Sequence, residues 1–290
     1  MFTFYGTTPY PHLSLPKGNA TVHRYQNGEL HVTLITDVTR ETCVVVGTIA
    51  PPDANLLQML ALTHTLKLHG ASSVTAVLPY LAYARHDRIM PAESMLTELV
   101  GKLFFAAGCT RVVCIDAHSQ LDATLFPLPL SSLSPATLFA EVMHRDGITA
   151  HTIVSPDAGG VQRAKDFARA YMGRDEIVCF SKKREGDTLR VERREGTLSH
   201  EVIIVDDMLD TGRTLVACSQ ELKAHGVTSI IIVISHGLFT DDAWHVLWQL
   251  NVHRIYVLDT VPLKPSLAND PRITVVPAAS LLETYIHAEK

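Results

Sequence analysis

Cysteine is scarce, five in 290 residues, and no two form a C-x-x-C pair. Cys43, Cys109, Cys114, Cys179 and Cys218 are scattered, which excludes a disulfide framework and a zinc site of paired thiolates and predicts buried thiols in a reducing compartment. Positive charge is not in excess either: 25 Lys and Arg stand against 30 Asp and Glu, for a formal net charge of −5. That balance lacks the strong basic footprint of a dedicated nucleic-acid binder. No run approaches the roughly 18–20 apolar residues of a spanning helix. The stretch MFTFYGTTPYPHLSLPKG lacks the basic-then-apolar order of a secretory signal, so secretion is not expected. Short repeats and low-complexity tracts are missing. What is plentiful is apolar surface, 47% hydrophobic against 19% charged, which excludes a disordered or collagen-like polymer. The expectation is a soluble cytoplasmic protein of one large or two ordinary α/β domains, with neither membrane nor nucleic acid as partner.

Short Val- and Ile-rich runs recur at residues 43–47, 73–78, 111–116, 151–155, 176–180, 202–205, 229–235 and 254–258. They are apolar without strict alternation, as strands covered on both faces of a parallel sheet must be. Between them, residues 53–69, 93–107, 160–172, 214–225 and 241–250 read as amphipathic helices. Strand and helix alternating at this spacing predict parallel sheets with right-handed crossovers. The pattern runs through twice, interrupted by the Pro- and Ser-rich stretch FPLPLSSLSP, so we expect two tandem domains, 1–145 and 146–290. In the second, KKREGDTLRVERREG reads as a flap hairpin turning at Gly186-Asp187.

The most informative stretch is VIIVDDMLDTGRT. A buried apolar strand ends in Asp206 and Asp207, and the loop Asp210-Thr211-Gly212-Arg213-Thr214 then opens a helix. In an open α/β sheet, ligands sit beyond the carboxyl ends of the strands. A Gly- and Thr-containing loop at a helix N-terminus offers free N–H groups and the positive dipole end, which suit phosphate. Two acids beside it suit sugar hydroxyls or a phosphate-bound Mg²⁺. Taken alone, Asp210 could equally be a helix cap and the acid pair a solvated strand end.

VDDMLDTGRT resembles the phosphoribosyl-pyrophosphate (PRPP) loop shared by type I phosphoribosyltransferases and ribose-phosphate pyrophosphokinases. Further segments resemble the pyrophosphokinases specifically. YQNGE is similar to their nucleotide-contact segment F-x-D/N-G-E, and PYLAYARHDR to P-Y-x-x-Y-A-R-Q-D-R/K. CIDAHSQ resembles D-L-H-x-x-Q, SPDAGGVQRAK resembles S-P-D-x-G-x-x-R-A-K/R, and SKKR carries a K-x-R pair. The resemblance spans about Tyr25 to Leu263, and the short chain is closer to archaeal-type members.

This resemblance implies two tandem phosphoribosyltransferase-like domains, the first contacting ATP and metal and the second holding ribose 5-phosphate. It implies Lys182 and Arg184 as catalytic cations on the reacting phosphates. Asn27, Gly28, Glu29, Arg85 and His86 would contact ATP, and His118 and Asp157 would be associated with Mg²⁺. The ribose 5-phosphate site would be Asp206, Asp207, Asp210, Thr211, Gly212, Arg213 and Thr214. The implied reaction is β,γ-diphosphoryl transfer from Mg-ATP to ribose 5-phosphate, in a homo-oligomer of two to six copies. A PRPP-consuming transferase, a silent synthetase-like partner and a nucleotide sensor remain alternatives at this point. The chain departs from the family pattern at His86, where Gln is usual, at Arg213, where Gly is common, and at Ser181, where Asp often precedes the Lys. The segment IMPAESML is also short and lacks the basic residues of longer members.

Overall fold

The computed structural model describes residues 1–7, 13–85, 91–119, 122–185, 188–195 and 197–288, and for 182–185 and 188–195 the description covers the backbone. The chain divides into one unit of Met1–Leu133 with Ala279–Lys290, and a second of Ser134–Ala278.

The first unit contains β1 (Phe2–Tyr5), a hairpin of β2 (Ala20–Arg24) and β3 (Leu30–Leu34), then β4 (Thr42–Val46), α1 (Ala54–Leu68) and β5 (Ser73–Leu78). It continues with α2 (Leu96–Ala106), β6 (Arg111–Ile115), α3 (Asp122–Leu125) and β7 (Leu130–Leu133). The main sheet has the order β1-β4-β5-β6-β7, every pair parallel. Cys43 to Val46 are all buried, as are Val112 to Ile115. Such strands cannot alternate polar and apolar residues, because neither face meets water.

The second unit contains α4 (Ala136–Arg145), β8 (Thr152–Ser155), α5 (Val161–Met172), β9 (Val178–Glu185), β10 (Thr188–Glu195), β11 (Glu201–Leu209) and α6 (Arg213–Ala224). After β12 (Ser229–Gly237) come a 3₁₀ turn (Ala243–Gln249), β13 (Val252–Leu258), α7 (Pro265–Ala268) and β14 (Ile273–Val276). Its sheet has the order β10-β9-β8-β11-β12-β13-β14, antiparallel at β10–β9 and parallel elsewhere. Ile203, Ile204, Ile230, Ile232 and Ile234 are fully buried between the helix layers, each stabilising the fold by about 1.5–3 kcal/mol over an exposed side chain. β9 and β10 pair antiparallel, as the flap reading expects, and the turn read at Gly186-Asp187 lies outside the described residues.

Several segments differ from the sequence reading. The stretch FPLPLSSLSP is not a bare linker, since it holds β7, an edge strand paired with β6. Residues 134–145 belong to the second unit: His144 stacks on Tyr171 of α5 with ring centroids 4.7 Å apart, and Asp146 accepts a 2.9 Å hydrogen bond from Tyr256. The division therefore falls at Leu133–Ser134 and not near residue 145. Finally, α8 (Ala279–Ala288) returns to the first unit, where Tyr285 donates to Ser131 at 2.8 Å and accepts from Arg111 at 2.9 Å.

Candidate active site

The sequence reading ends the acid-bearing strand at Val205. The structure extends β11 through both acids to Leu209, because Met208 pairs with His236 and Leu209 with Gly237 of β12. Asp206 and Asp207 are therefore buried, 8% and 6% exposed, and not a solvated strand end. The Asp207 N–H donates to Asp206 Oδ1 at 3.0 Å. Arg163, projecting from α5, brings Nη1 to 4.0 Å from Asp206 Oδ1. Burial drives the Asp206 carboxyl well above the usual carboxylate range, and the neighbouring Asp207 charge adds to this; Arg163 opposes it and Asp157 reinforces it.

Its place in the sheet follows the crevice rule. From β8 the chain proceeds to β9 on one side, and from β11 to β12 on the other, so the strand order reverses between β8 and β11. Asp157 lies on the loop that leaves β8 at this point. The Ser155 hydroxyl donates to its carbonyl at 2.7 Å, and the Gly160 N–H donates to its Oδ1 at 3.0 Å. A Cβ on Gly160 would come within 2.9 Å of Ser155 Oγ, the hydroxyl that holds the Asp157 carbonyl.

Beyond β11, the Leu238 and Phe239 N–H groups donate to the Leu209 carbonyl at 2.8 and 3.0 Å. The Thr240 hydroxyl donates to the Asp210 carboxylate, and the Thr240 N–H to the Asp210 carbonyl at 3.2 Å. The Asp210 carboxylate is tied to Thr240. The N-cap is Gly212, at φ +76°, where a Cβ would lie 2.6 Å from Trp244 Cβ. A glycine cap brings no side chain to the first-turn N–H groups around Arg213 and Thr214, and leaves the dipole end suited to an anion.

Lys182 and Arg184 both lie on β9, their backbones opposite Val191 and Leu189 of β10. Two residues apart on a strand, they share a face.

In the first unit, Asn27, Gly28 and Glu29 turn the β2–β3 hairpin. The Tyr25 N–H donates to the Glu29 carbonyl at 2.9 Å, and the Glu29 N–H to Asn27 Oδ1 at 3.1 Å. Arg85 is exposed on the loop after β5. That loop is pinned by Tyr83, which takes φ +68° and donates to Asp53 Oδ1 at 2.5 Å. His86 lies outside the described residues. His118 is exposed on the loop after β6, where the Asp116 N–H donates to the Leu133 carbonyl at 2.9 Å and the Ala117 N–H to Ser132 Oγ at 2.9 Å. Arg85 and His118 thus leave the carboxyl ends of adjacent parallel strands.

Sequence reasoning gave no role to Arg163, Thr240 or Trp244. Arg163 stands inside the SPDAGGVQRAK segment, so its signal was on the page; Thr240 and Trp244 act through a fold-back that no local pattern announces. Among the described residues, no three His, Cys, Asp or Glu side chains converge as a ready metal cage.

Two phosphoribosyltransferase-type α/β units in tandem, the second with a buried acid pair and an anion-ready helix start, set the class of the protein. Residues 10–108 match the family model of the N-terminal domain of ribose phosphate pyrophosphokinase, and residues 132–242 match the phosphoribosyl transferase domain. A ribose-phosphate pyrophosphokinase of Wolinella succinogenes is 32% identical over 96% of this chain and 91% of its own length. One of Thermosipho africanus is 33% identical over 93% and 86%. The crystal structure of phosphoribosylpyrophosphate synthetase from Mycobacterium smegmatis superposes with a TM-score of 0.85 at 25% identity, covering 99% of this chain and 98% of that one. The chain belongs to the ribose-phosphate pyrophosphokinase family.

Proposed function

We propose that this chain is a ribose-phosphate diphosphokinase: it transfers the β,γ-diphosphoryl group of ATP to the C1 hydroxyl of ribose 5-phosphate, giving PRPP and AMP. The observation that carries this reading is the additional α/β unit ahead of the acid-pair unit, matched as a pyrophosphokinase N-terminal domain. A transferase that consumes PRPP needs only the second unit, and that alternative is not favoured.

In this proposal the C1 oxygen attacks the β-phosphorus and AMP leaves. The protein's task is positioning and charge neutralisation, with little covalent chemistry of its own. Lys182 and Arg184 meet the charge that develops on the transferring diphosphate. Asp206 and Asp207 accept hydrogen bonds from the pentose hydroxyls, while Asp210 to Thr214 hold the 5-phosphate on the N–H groups of the first turn of α6. Asn27, Gly28, Glu29, Arg85 and His86 hold the nucleotide.

His118 and Asp157 are the residues that would hold Mg²⁺. The Asp157 carboxylate is an oxygen donor of the kind a hard cation takes, and Mg²⁺ keeps most of its waters and needs no closed cage. Bound Mg²⁺ supplies charge neutralisation on the polyphosphate. Assembly as a homo-oligomer of two to six copies is part of the proposal, supported by the exposed apolar side chains Leu57, Leu68, Leu99 and Phe105 on α1 and α2. Residence in the cytoplasm is also proposed; among the described residues no helix is long and apolar enough to cross a membrane.

One assay tests the reading. With ATP, Mg²⁺ and ribose 5-phosphate, AMP and PRPP form in equal amounts. ATP binding without AMP formation, or diphosphate release from PRPP without ATP, would replace it with a sensor or a transferase.

A further inference from the structure

The β2–β3 hairpin presents one largely apolar face and one face that carries two imidazoles. Val22 pairs with Val32 and Ala20 with Leu34 on one side, while His23 stands directly opposite His31 on the other. The two imidazoles lie with ring centroids 4.7 Å apart at 54°, although His23 is exposed and His31 only half-buried. Tyr25 contacts both rings, at 5.5 and 5.3 Å, and its hydroxyl is 3.1 Å from His31 Nδ1. The three rings therefore hold one another in place without burial.

We infer that His23 and His31 form a chelating site for a borderline transition-metal ion of the Zn²⁺, Ni²⁺ or Cu²⁺ class. With Nδ1–H of His31 donating to the Tyr25 oxygen, Nε2 presents its lone pair, the arrangement in which a ring partner fixes the tautomer of a ligating imidazole. Zn–N bonds of about 2.0–2.1 Å in a tetrahedral ion place two nitrogens about 3.3 Å apart. Ring centroids 4.7 Å apart put the two imidazoles within reach of one ion. Opposed positions on paired antiparallel strands keep the two donors together, so the ion bridges β2 and β3. Because no third His, Cys, Asp or Glu joins them among the described residues, water completes the coordination. Neutral imidazole pairs favour these ions over Mg²⁺, which prefers oxygen, so the site is distinct from the magnesium requirement proposed above.

The test is calorimetric titration of the full chain with Zn²⁺ at pH 7.5, for wild type, His23→Gln, His31→Gln and the double variant. The chain has 15 histidines, so the reading is the difference between proteins. Wild type binds one more equivalent than the double variant. Each single variant loses that equivalent or binds it at least tenfold more weakly, since a chelate fails when either arm is removed. Excess Mg²⁺ does not displace the ion. A wild-type isotherm that overlays the double variant overturns the site. So do single losses that add up independently, which would mark two separate surface histidines, or displacement by Mg²⁺. Far-UV circular dichroism checks that the variants keep their fold.

Discussion

Arg163 Nη1 stands 4.0 Å from Asp206 Oδ1, and both side chains are almost withdrawn from water, 15% and 11% exposed. The pair is not balanced, since Asp207 and Asp157 add negative charge to the same surroundings and the Asp206 carboxyl is raised well above its ordinary value. A carboxyl whose folded value exceeds its unfolded one contributes stability that is fully present below the unfolded value, near pH 4, and lost as pH rises through the folded value. Asp206→Asn removes that dependence. It therefore has nearly wild-type stability at pH 4 and gains on wild type as pH rises, by about 1–3 kcal/mol on the alkaline side. Thermal unfolding across pH 4–9 checks this; a gap that narrows with rising pH would reverse the sign.

Removing the cation has the opposite effect. Arg163→Met removes the charge that opposes the raised Asp206 carboxyl and destabilises the second unit by about 3–5 kcal/mol at pH 8. The loss shrinks in acid, where Asp206 carries its own proton. Urea unfolding at pH 8 and pH 5 measures both values, and equal losses at the two pH values would show that Arg163 acts through packing alone.

These residues also mark how far sequence carried the reading. Val202 to Val205 and Ile230 to Val233 announce buried parallel strands because both faces lose water, and that alone brings out the doubled α/β pattern. The loop Asp210 to Thr214 was legible because glycine and hydroxyls beside a helix start have a chemical meaning of their own. The burial of Asp206 and Asp207 was not, because two acids read locally as a strand end and only pairing with β12 carries the strand past them. β7 was hidden by its prolines and serines, which an edge strand tolerates because one side needs no partner. The helix expected over 241–250 is a 3₁₀ turn, Ala243–Gln249, whose Trp244 packs on Gly212. That contact joins residues more than thirty positions apart, and no periodicity encodes it.

The same contact makes Gly212 sensitive. At φ +76° an L side chain is disfavoured, and a Cβ would lie 2.6 Å from Trp244 Cβ and 3.0 Å from Trp244 Cα. Trimming Trp244 to alanine leaves both of those atoms in place, so side-chain loss there cannot relieve the clash. Gly212→Ala should cost about 2–3 kcal/mol of stability from backbone strain and collision together. Because α6 must shift to accommodate it, the KM for ribose 5-phosphate should rise at least tenfold, while that for ATP changes little. Steady-state kinetics with each substrate varied in turn check the split. An unchanged KM for ribose 5-phosphate would detach this helix start from the phosphate.

Lys182 offers the sharpest separation of catalysis from folding. It sits on the hairpin strand β9, its backbone opposite Val191 of β10. If it meets charge that grows only as the β-phosphorus is attacked, the interaction is worth more in the transition state than in the ground state. Lys182→Ala should then lower kcat by about 10²–10³-fold, with the thermal midpoint and both KM values nearly unchanged. Lys182→Arg should recover part of the rate, because it keeps the charge but not the geometry of a point ammonium. A variant whose KM rises while kcat stays put would make Lys182 a ground-state contact, and undiminished turnover would remove it from the chemistry altogether.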